Sequence, residues 1–358
     1  MYIVLAIIAF GILIAIHELG HFTAAKLLNV KVNEFAIGMG PKLLKKQGKE
    51  TLYTLRALPL GGFCAMGEDD GDSDDPRAFT AQKRWRRIVI LAAGSAANML
   101  AAIIIIAILT AGSELFVGTT ITDLVDDFPN KGENGLMVGD TFVSVNGERL
   151  YYRGDFEMFM GLAERRGDEE VNLVIRRDGE KIKLDRFPFA RREYTIDGET
   201  VLRYGLSFNV IEATPLEQMK YSLYQSMHFV RLVRVSLAQL FSGAAGLKDL
   251  SGPVGIVDAM NSIGQDAAAE YGVGAAIKDI IFFTAFIGVN LAVMNLLPIP
   301  ALDGGRILFV LINFVIEKII RRRVDPKYEG YIHTTALVLL FGFMLFVLVN
   351  DVIKLING

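Results

Sequence analysis

Cysteine is almost missing from this chain: Cys64 is the only one in 358 residues. An intrachain disulfide and a cysteine-built metal site are therefore excluded, and any metal has to sit on His, Asp or Glu. A surplus of positive charge is missing too. Lys and Arg number 37 against 40 Asp and Glu, a net charge of -3, which gives no general attraction to nucleic acid. What the chain has in excess is apolar. Hydrophobic residues make up 52% and mean hydropathy is +0.38, too high for an ordinary soluble enzyme and indicative of several membrane spans. The 22% of charged residues still require a water-exposed portion of roughly a hundred residues.

Four stretches are apolar enough to cross a bilayer. Residues 2–16 carry no charge and the run continues past His17-Glu18 to Leu28; residues 88–111, at about 1.5 Å per helical residue, form the second. The third, 280–302, resumes after Gly304-Gly305 as 306–316, and 334–349 form the fourth. The first run has no basic leader and no small-residue cleavage site after a short apolar core, so it reads as a span and not as a cleaved signal. Lys83-Arg84-Trp85-Arg86-Arg87 abuts the second span and Lys318 with Arg321-Arg322-Arg323 precedes the fourth. Both loops then belong to the cytoplasm, and the segment from 113 to about 275 lies outside. That segment alternates like strands over 141–145 and 171–175, carries turn signals at Asn146-Gly147 and Asp178-Gly179, and has a polar helical stretch over 155–165. It reads as a small α+β module, followed over 215–241 by an amphipathic helix suited to the outer interface.

The first span contains His17-Glu18-Leu19-Gly20-His21, which fits H-E-x-x-H. The i, i+4 spacing puts both imidazoles on one helical face to bind a single Zn²⁺, with Glu18 beside them to take a proton from water. Three ionisable residues within five positions of an apolar span are costly and call for a function. The fifteen residues from Tyr2 to Ile16 amount to about 22 Å of helix in a hydrocarbon core about 30 Å thick, which sets the site inside the bilayer boundary toward the cytoplasm. A catalytic zinc needs a third protein ligand, and Asp303 is the best candidate. It follows Asn295-Leu-Leu-Pro-Ile-Pro-Ala-Leu302, where Pro298 and Pro300 prevent a regular helix. Non-helical backbone at this depth is tolerated only when buried in protein or lining a wet cavity. Asp303 can also N-cap the helical stretch that follows, a role compatible with metal binding.

His17-Glu-Leu-Gly-His21, the run Asn290-Leu-Ala-Val-Met-Asn-Leu-Leu-Pro-Ile-Pro-Ala-Leu-Asp-Gly-Gly305 and the intervening module together resemble the site-2 protease family of intramembrane zinc metalloproteases, its bacterial RseP type above all, over nearly the whole chain. The resemblance implies that His17, His21 and Asp303 bind Zn²⁺ and that Glu18 is the general base. It also implies that residues 115–210 or so are a single PDZ domain, carried here by Asn134-Gly-Leu-Met-Val-Gly-Asp-Thr-Phe-Val-Ser-Val-Asn-Gly147. Asn290 and Asn295 become substrate contacts on this resemblance, with interhelical hydrogen bonding as the alternative. Phe35-Ala-Ile-Gly-Met-Gly-Pro41, with Gly38 and Gly40, resembles the family's membrane-associated β-loop, whose edge can pair with an extended peptide. Two Gly/Pro turns joining short strands are the alternative there. Gly94-Ser-Ala-Ala-Asn98 departs from the family's usual Gly-Pro pair at Ser95.

The expected architecture is a polytopic α-helical membrane protein of about four transmembrane helices, with a small membrane-associated β-sheet and an inserted extracytoplasmic α+β PDZ domain. Residues 1–112 would hold helices 1 and 2, 113–212 the PDZ domain, 213–275 the interfacial amphipathic region and 276–358 helices 3 and 4. The expected partners are single-pass transmembrane substrates and the lipid bilayer of a bacterial plasma membrane, and no nucleic acid. The short link at 113–115 makes the module a candidate size filter, with recruitment through a peptide groove as the alternative. Two rival classes, a catalytically inactive PDZ scaffold and an ion transporter using Asp303 and the histidines, give no reason for Glu18 between two histidines. The acidic run from Glu68 to Asp75 lacks a calcium-binding loop's Glu at position twelve and reads as a solvated linker; His228 and His333 read as structural.

This topology has a direct test. In a Cys64→Ser background, a cysteine at position 178 is expected to react with an impermeant thiol reagent in intact cells. Labelling of that position only after permeabilisation would reverse the orientation.

Overall fold

The computed structural model describes residues 1–66, 75–196, 199–244, 246, 252–321 and 326–357. The acidic run lies outside them apart from Asp75, as do Arg322, Arg323 and the side chain of His333. In chain order the elements are α1 (Tyr2–Leu27), β1 (Glu34–Gln47), β2 (Leu52–Ala65), α2 (Arg84–Thr110), β3 (Leu115–Leu124), β4 (Thr141–Val145) and β5 (Glu148–Arg149). There follow α3 (Arg153–Arg166), β6 (Glu170–Arg177), β7 (Glu180–Pro188), β8 (Arg192–Ile196), β9 (Glu199–Arg203) and β10 (Leu206–Glu212). The chain continues with α4 (Pro215–Phe241), α5 (Pro253–Tyr271), α6 (Val273–Asn295), α7 (Asp303–Ile320) and α8 (Pro326–Asn357). It divides into two units, residues 1–109 with 229–358, and residues 110–228.

In the first unit, α1, α2, α6 and the stretch Gly330–Lys354 of α8 are long and apolar enough to cross a membrane. The 26 residues of α1 reach about 39 Å. Ile3, Ile8 and Ile12 of α1 and Leu100, Ile104 and Ile108 of α2 are exposed. In water they would form an apolar patch far larger than monomers tolerate, whereas lipid accepts them without cost. Between the helices the contacts are small and close. A Cβ on Gly20 would overlap the Ala93 carbonyl oxygen and lie 2.8 Å from Ala97 Cβ, so α1 and α2 meet backbone to backbone. Further along, Ala6 and Leu13 of α1 pack with Met260, Ile280 and Ile287 of α5 and α6.

Helix α5 is an addition to what the sequence indicates for 213–275. Its signals are brief: Gly252-Pro253 supplies a proline in the first turn, and Gly272, at φ 86, ends it. Its amino end is finished by α8, where buried Asp351 accepts the Gly252 N–H at 3.0 Å and the Gly255 N–H at 2.9 Å. A carboxylate there satisfies donors that the helix itself leaves unpaired and lies at the positive end of its dipole.

The second unit is built on a sheet ordered β10-β3-β4-β6-β7, with β5 paired to β4. Phe142, Phe156, Met160, Leu173 and Ile175 are fully buried where α3 covers it. Both expected turns form: Asn146 and Gly147 at φ 48 and 83, Asp178 and Gly179 at φ 50 and 88, the left-handed pair that a two-residue hairpin demands. Arg177 holds Asp140 with two bonds of 2.7 Å across the sheet. His228 is buried and its Nδ1 lies 3.0 Å from Asp155 Oδ1, which joins α4 to α3 within this unit. Burial, with the neighbouring phenol Tyr221 and carboxylate Asp155, pushes the Tyr152 hydroxyl upward beside that pair.

Strands β1 and β2 each fold back, so the two make four rungs. Residues 34–37 run antiparallel to 62–65 and parallel to 52–55, and 42–47 close the other edge against 52–56. Glu34 anchors the sheet: Thr54 Oγ1 and Arg56 Nη2 each donate to its Oε1 at 2.8 Å, and Lys42 donates to its Oε2 at 3.0 Å. Burial pushes this carboxyl up, but the bonds from Arg56, Thr54 and Lys42 outweigh it and hold the group at about 2, below the ordinary 4.5. The folded value is the lower one, so its stabilisation is complete above pH 4.5 and is lost as pH falls toward about 2. Glu34→Gln is expected to cost about 1–2 kcal/mol at pH 7, with the two proteins converging in acid. Denaturation in detergent across that pH range measures it; a constant gap would contradict the assignment.

Candidate metal centre

Helix α1 presents His17 and His21 on one face, one turn apart, toward α2. The His21 Nδ1 lies 2.8 Å from the carbonyl oxygen of Ile90 on α2. A carbonyl only accepts, so Nδ1 carries the proton and the Nε2 lone pair is free for an ion. Space for the two rings comes from Gly94, where a Cβ would overlap His21 Nε2 and lie 2.7 Å from His17 Cε1.

Asp303 reaches the same point from the first turn of α7. Its Oδ2 is 3.2 Å from both His17 Nε2 and His21 Nε2, and those two nitrogens are 3.1 Å apart. A tetrahedral zinc with bonds of about 2.0–2.1 Å separates its ligand atoms by about 3.3–3.4 Å, so this donor set fits the ion. The segment before Asp303 turns sharply, with Ala301 at φ 80, an unusual conformation for a residue with a side chain. Gly304 and Gly305 then lie directly against the carbonyl oxygens of Leu296, Leu297 and Ile299, and a Cβ at either would overlap them. Prolines stop the helix, and glycines fasten its successor.

The other expected residues are distributed around this cluster. Glu18 lies beneath β2: a Cβ on Gly62 would be 2.9 Å from Glu18 Cγ. Asn295, at the end of α6, has its Nδ2 3.4 Å from His17 Nε2. Asn290 is half-buried earlier on α6. Gly38 and Gly40 take φ 86 and 83 where β1 turns beyond residue 37, and a Cβ on Gly38 would lie 2.6 Å from the Leu58 carbonyl oxygen. Cys64 sits in the same sheet, where burial pushes its thiol up to about 12, with the Glu18 charge adding to the effect. It stays a thiol, not a nucleophile, near neutral pH. Sequence reasoning missed the Ile90 carbonyl and the packing of Gly94 and Gly62; glycines in an apolar helix and in a strand were the available signals.

A membrane-spanning helix bearing H-E-x-x-H, closed by an aspartate from a later helix, defines the class of membrane metallopeptidases. The chain matches peptidase family M50 over residues 5–343 and belongs to that family, the site-2 proteases. Relatives from Clostridium acetobutylicum and Clostridium perfringens are each 38% identical, cover 99% of this chain and 98% and 99% of their own lengths, and carry zinc-metalloprotease names. The regulator of sigma-W protease RasP of Bacillus subtilis is 26% identical over 98% of this chain and 97% of its own. The protein is a zinc metalloprotease of the membrane.

Gly94→Ala tests the geometry. The added methyl displaces the His21 ring, so bound zinc per chain, by elemental analysis of the purified protein, is expected to fall at least about tenfold at limiting metal. Parent-like zinc content would show that the rings do not need this gap.

Proposed function

We propose that this chain is an intramembrane endopeptidase that cuts single-pass membrane proteins inside the bilayer, with His17, His21 and Asp303 as zinc ligands and Glu18 as general base. The reading is carried by three ligand atoms at tetrahedral spacing on elements of an apolar helical unit. Bound zinc supplies Lewis acidity toward the scissile carbonyl and the attacking water. Glu18, adjacent to His17 in the chain, takes the proton of that water and later gives one to the leaving amine. The Asn295 amide, 3.4 Å from His17 Nε2, orients the client carbonyl, and Asn290 contributes a second polar contact on α6. A client helix has to unwind first, because its backbone groups are already paired. Once extended it can add to the small sheet, whose turn beyond residue 37 is shaped by Gly38 and Gly40.

On the same reading, residues 113–212 are a single PDZ domain outside a bacterial plasma membrane, and residues 213–275 an interfacial region between it and the later spans. The module acts as a filter against clients with bulky ectodomains. Anti-sigma factors and remnant signal peptides are the client class, in keeping with the name of the sigma-W relative.

Glu18→Gln is expected to keep near-stoichiometric zinc while cleavage falls by about 10²–10⁴-fold. His17→Ala, His21→Ala and Asp303→Ala should lose both metal and cleavage. Metal analysis beside a cleavage assay on purified variants decides it, and an Asp303→Ala protein with parent-like zinc affinity would remove Asp303 from the ligand set.

A further inference from the structure

Besides Asp303 Oδ2, three side chains at or next to the metal centre have buried polar atoms with no hydrogen-bond partner among the described residues: His17 at Nδ1, Ser95 at Oγ, and Asn98 at both Oδ1 and Nδ2. Asn98 is 0% exposed and Ser95 1%. An amide buried without partners costs about 1–3 kcal/mol, so a fully sequestered asparagine in an apolar helix calls for an occupant.

Register brings these groups together. Contacts pair His21 with Ile90 and His17 with Gly94, so α1 and α2 run antiparallel. Asn98 is one turn beyond Gly94, about 6 Å along α2, toward the amino end of α1. Side chains on a helix lean toward its amino end. The His17 ring therefore leans toward the level of Asn98, and the Asn98 amide leans back toward the level of Gly94 and His17. Seen from α6, a Cβ on Gly288 would lie 3.6 Å from the Asn98 main-chain carbonyl oxygen and 3.2 Å from Leu13 Cδ2, so α1, α2 and α6 meet at Asn98, whose side chain is fully buried. Its enclosure excludes a client backbone, and the unpartnered groups offer the two to four polar partners that a buried water requires.

We infer that Asn98 is a positioning residue for His17, holding the imidazole through one buried water that accepts from His17 Nδ1–H and donates to Asn98 Oδ1, with Ser95 Oγ as a further partner. His21 has the Ile90 carbonyl for the same purpose. A ligating histidine needs such a partner on its other nitrogen to fix its tautomer and its aim, and loss of that partner costs about 10–100-fold in metal affinity. The inference rests on the proposed zinc site.

The test uses the full chain in detergent, stripped of metal and titrated with Zn²⁺ against a competing chelator. Asn98→Leu, close in volume and apolar, is expected to weaken zinc binding by about 10–100-fold. Its metal-free form should melt near or above the parent temperature, because the apolar side chain removes the Asn98 Nδ2 donor that the water bridge leaves unpaired, offsetting the loss of that bridge. Asn98→Asp, which keeps the acceptor oxygen, should bind zinc nearly as the parent does. Parent-like zinc affinity in Asn98→Leu overturns the inference. So does a joint fall of affinity and metal-free melting temperature that Asn98→Asp fails to rescue, since that marks Asn98 as packing alone. A parent protein that takes up no zinc overturns the metal reading itself, and this inference with it.

Discussion

The approach of α1 to α2 constrains everything else in the membrane unit. At Gly20 the helices touch backbone to backbone, and at Gly94 the same closeness leaves room for two imidazoles and nothing larger. Polar groups gain little from hydrocarbon, so histidines in an apolar span are tolerable only where neighbouring helices enclose them and supply partners. Small residues make that enclosure possible. They allow the Ile90 carbonyl to reach one imidazole, and they bring both rings to where Asp303 arrives from a helix 282 residues beyond His21 in the chain, 303 minus 21.

That long return is managed by backbone devices. Pro298 and Pro300 end one helix, Ala301 adopts a left-handed conformation, and two glycines seat the first turn of α7 on the carbonyls behind it. A loop that packs this closely has little freedom, so the carboxylate is held by main chain and not by its own flexible side chain. Packing of this kind limits the positions open to the Asp303 carboxylate and keeps it aimed at the two imidazoles.

Much of this was legible because the signals are local or chemically expensive. H-E-x-x-H needs only helical periodicity to be read, the left-handed demands of Asn146-Gly147 and Asp178-Gly179 announce their hairpins, and Asp303 stands out as a charge after two prolines. Other parts left no mark. The Ile90 carbonyl is main chain, common to every residue, and its role follows only from packing. Gly62 over Glu18 is one glycine among 35 in the chain. Helix α5 was hidden because its alanines, glycines and scattered polar residues make no long apolar run like those of the spans, and its amino end is completed by a residue far away in sequence.

That distant completion bears on how the chain is made. Gly252 and Asp351 are 99 residues apart, an interval of about 5–20 s at ordinary rates of synthesis. Throughout it the first amides of α5 lack the Asp351 carboxylate, although α5 and then α6 are completed within the interval and can pack on α1. The membrane unit therefore cannot be finished in the order in which it is translated. The arrival of α8 closes a hydrogen-bond deficit that opened much earlier in the chain.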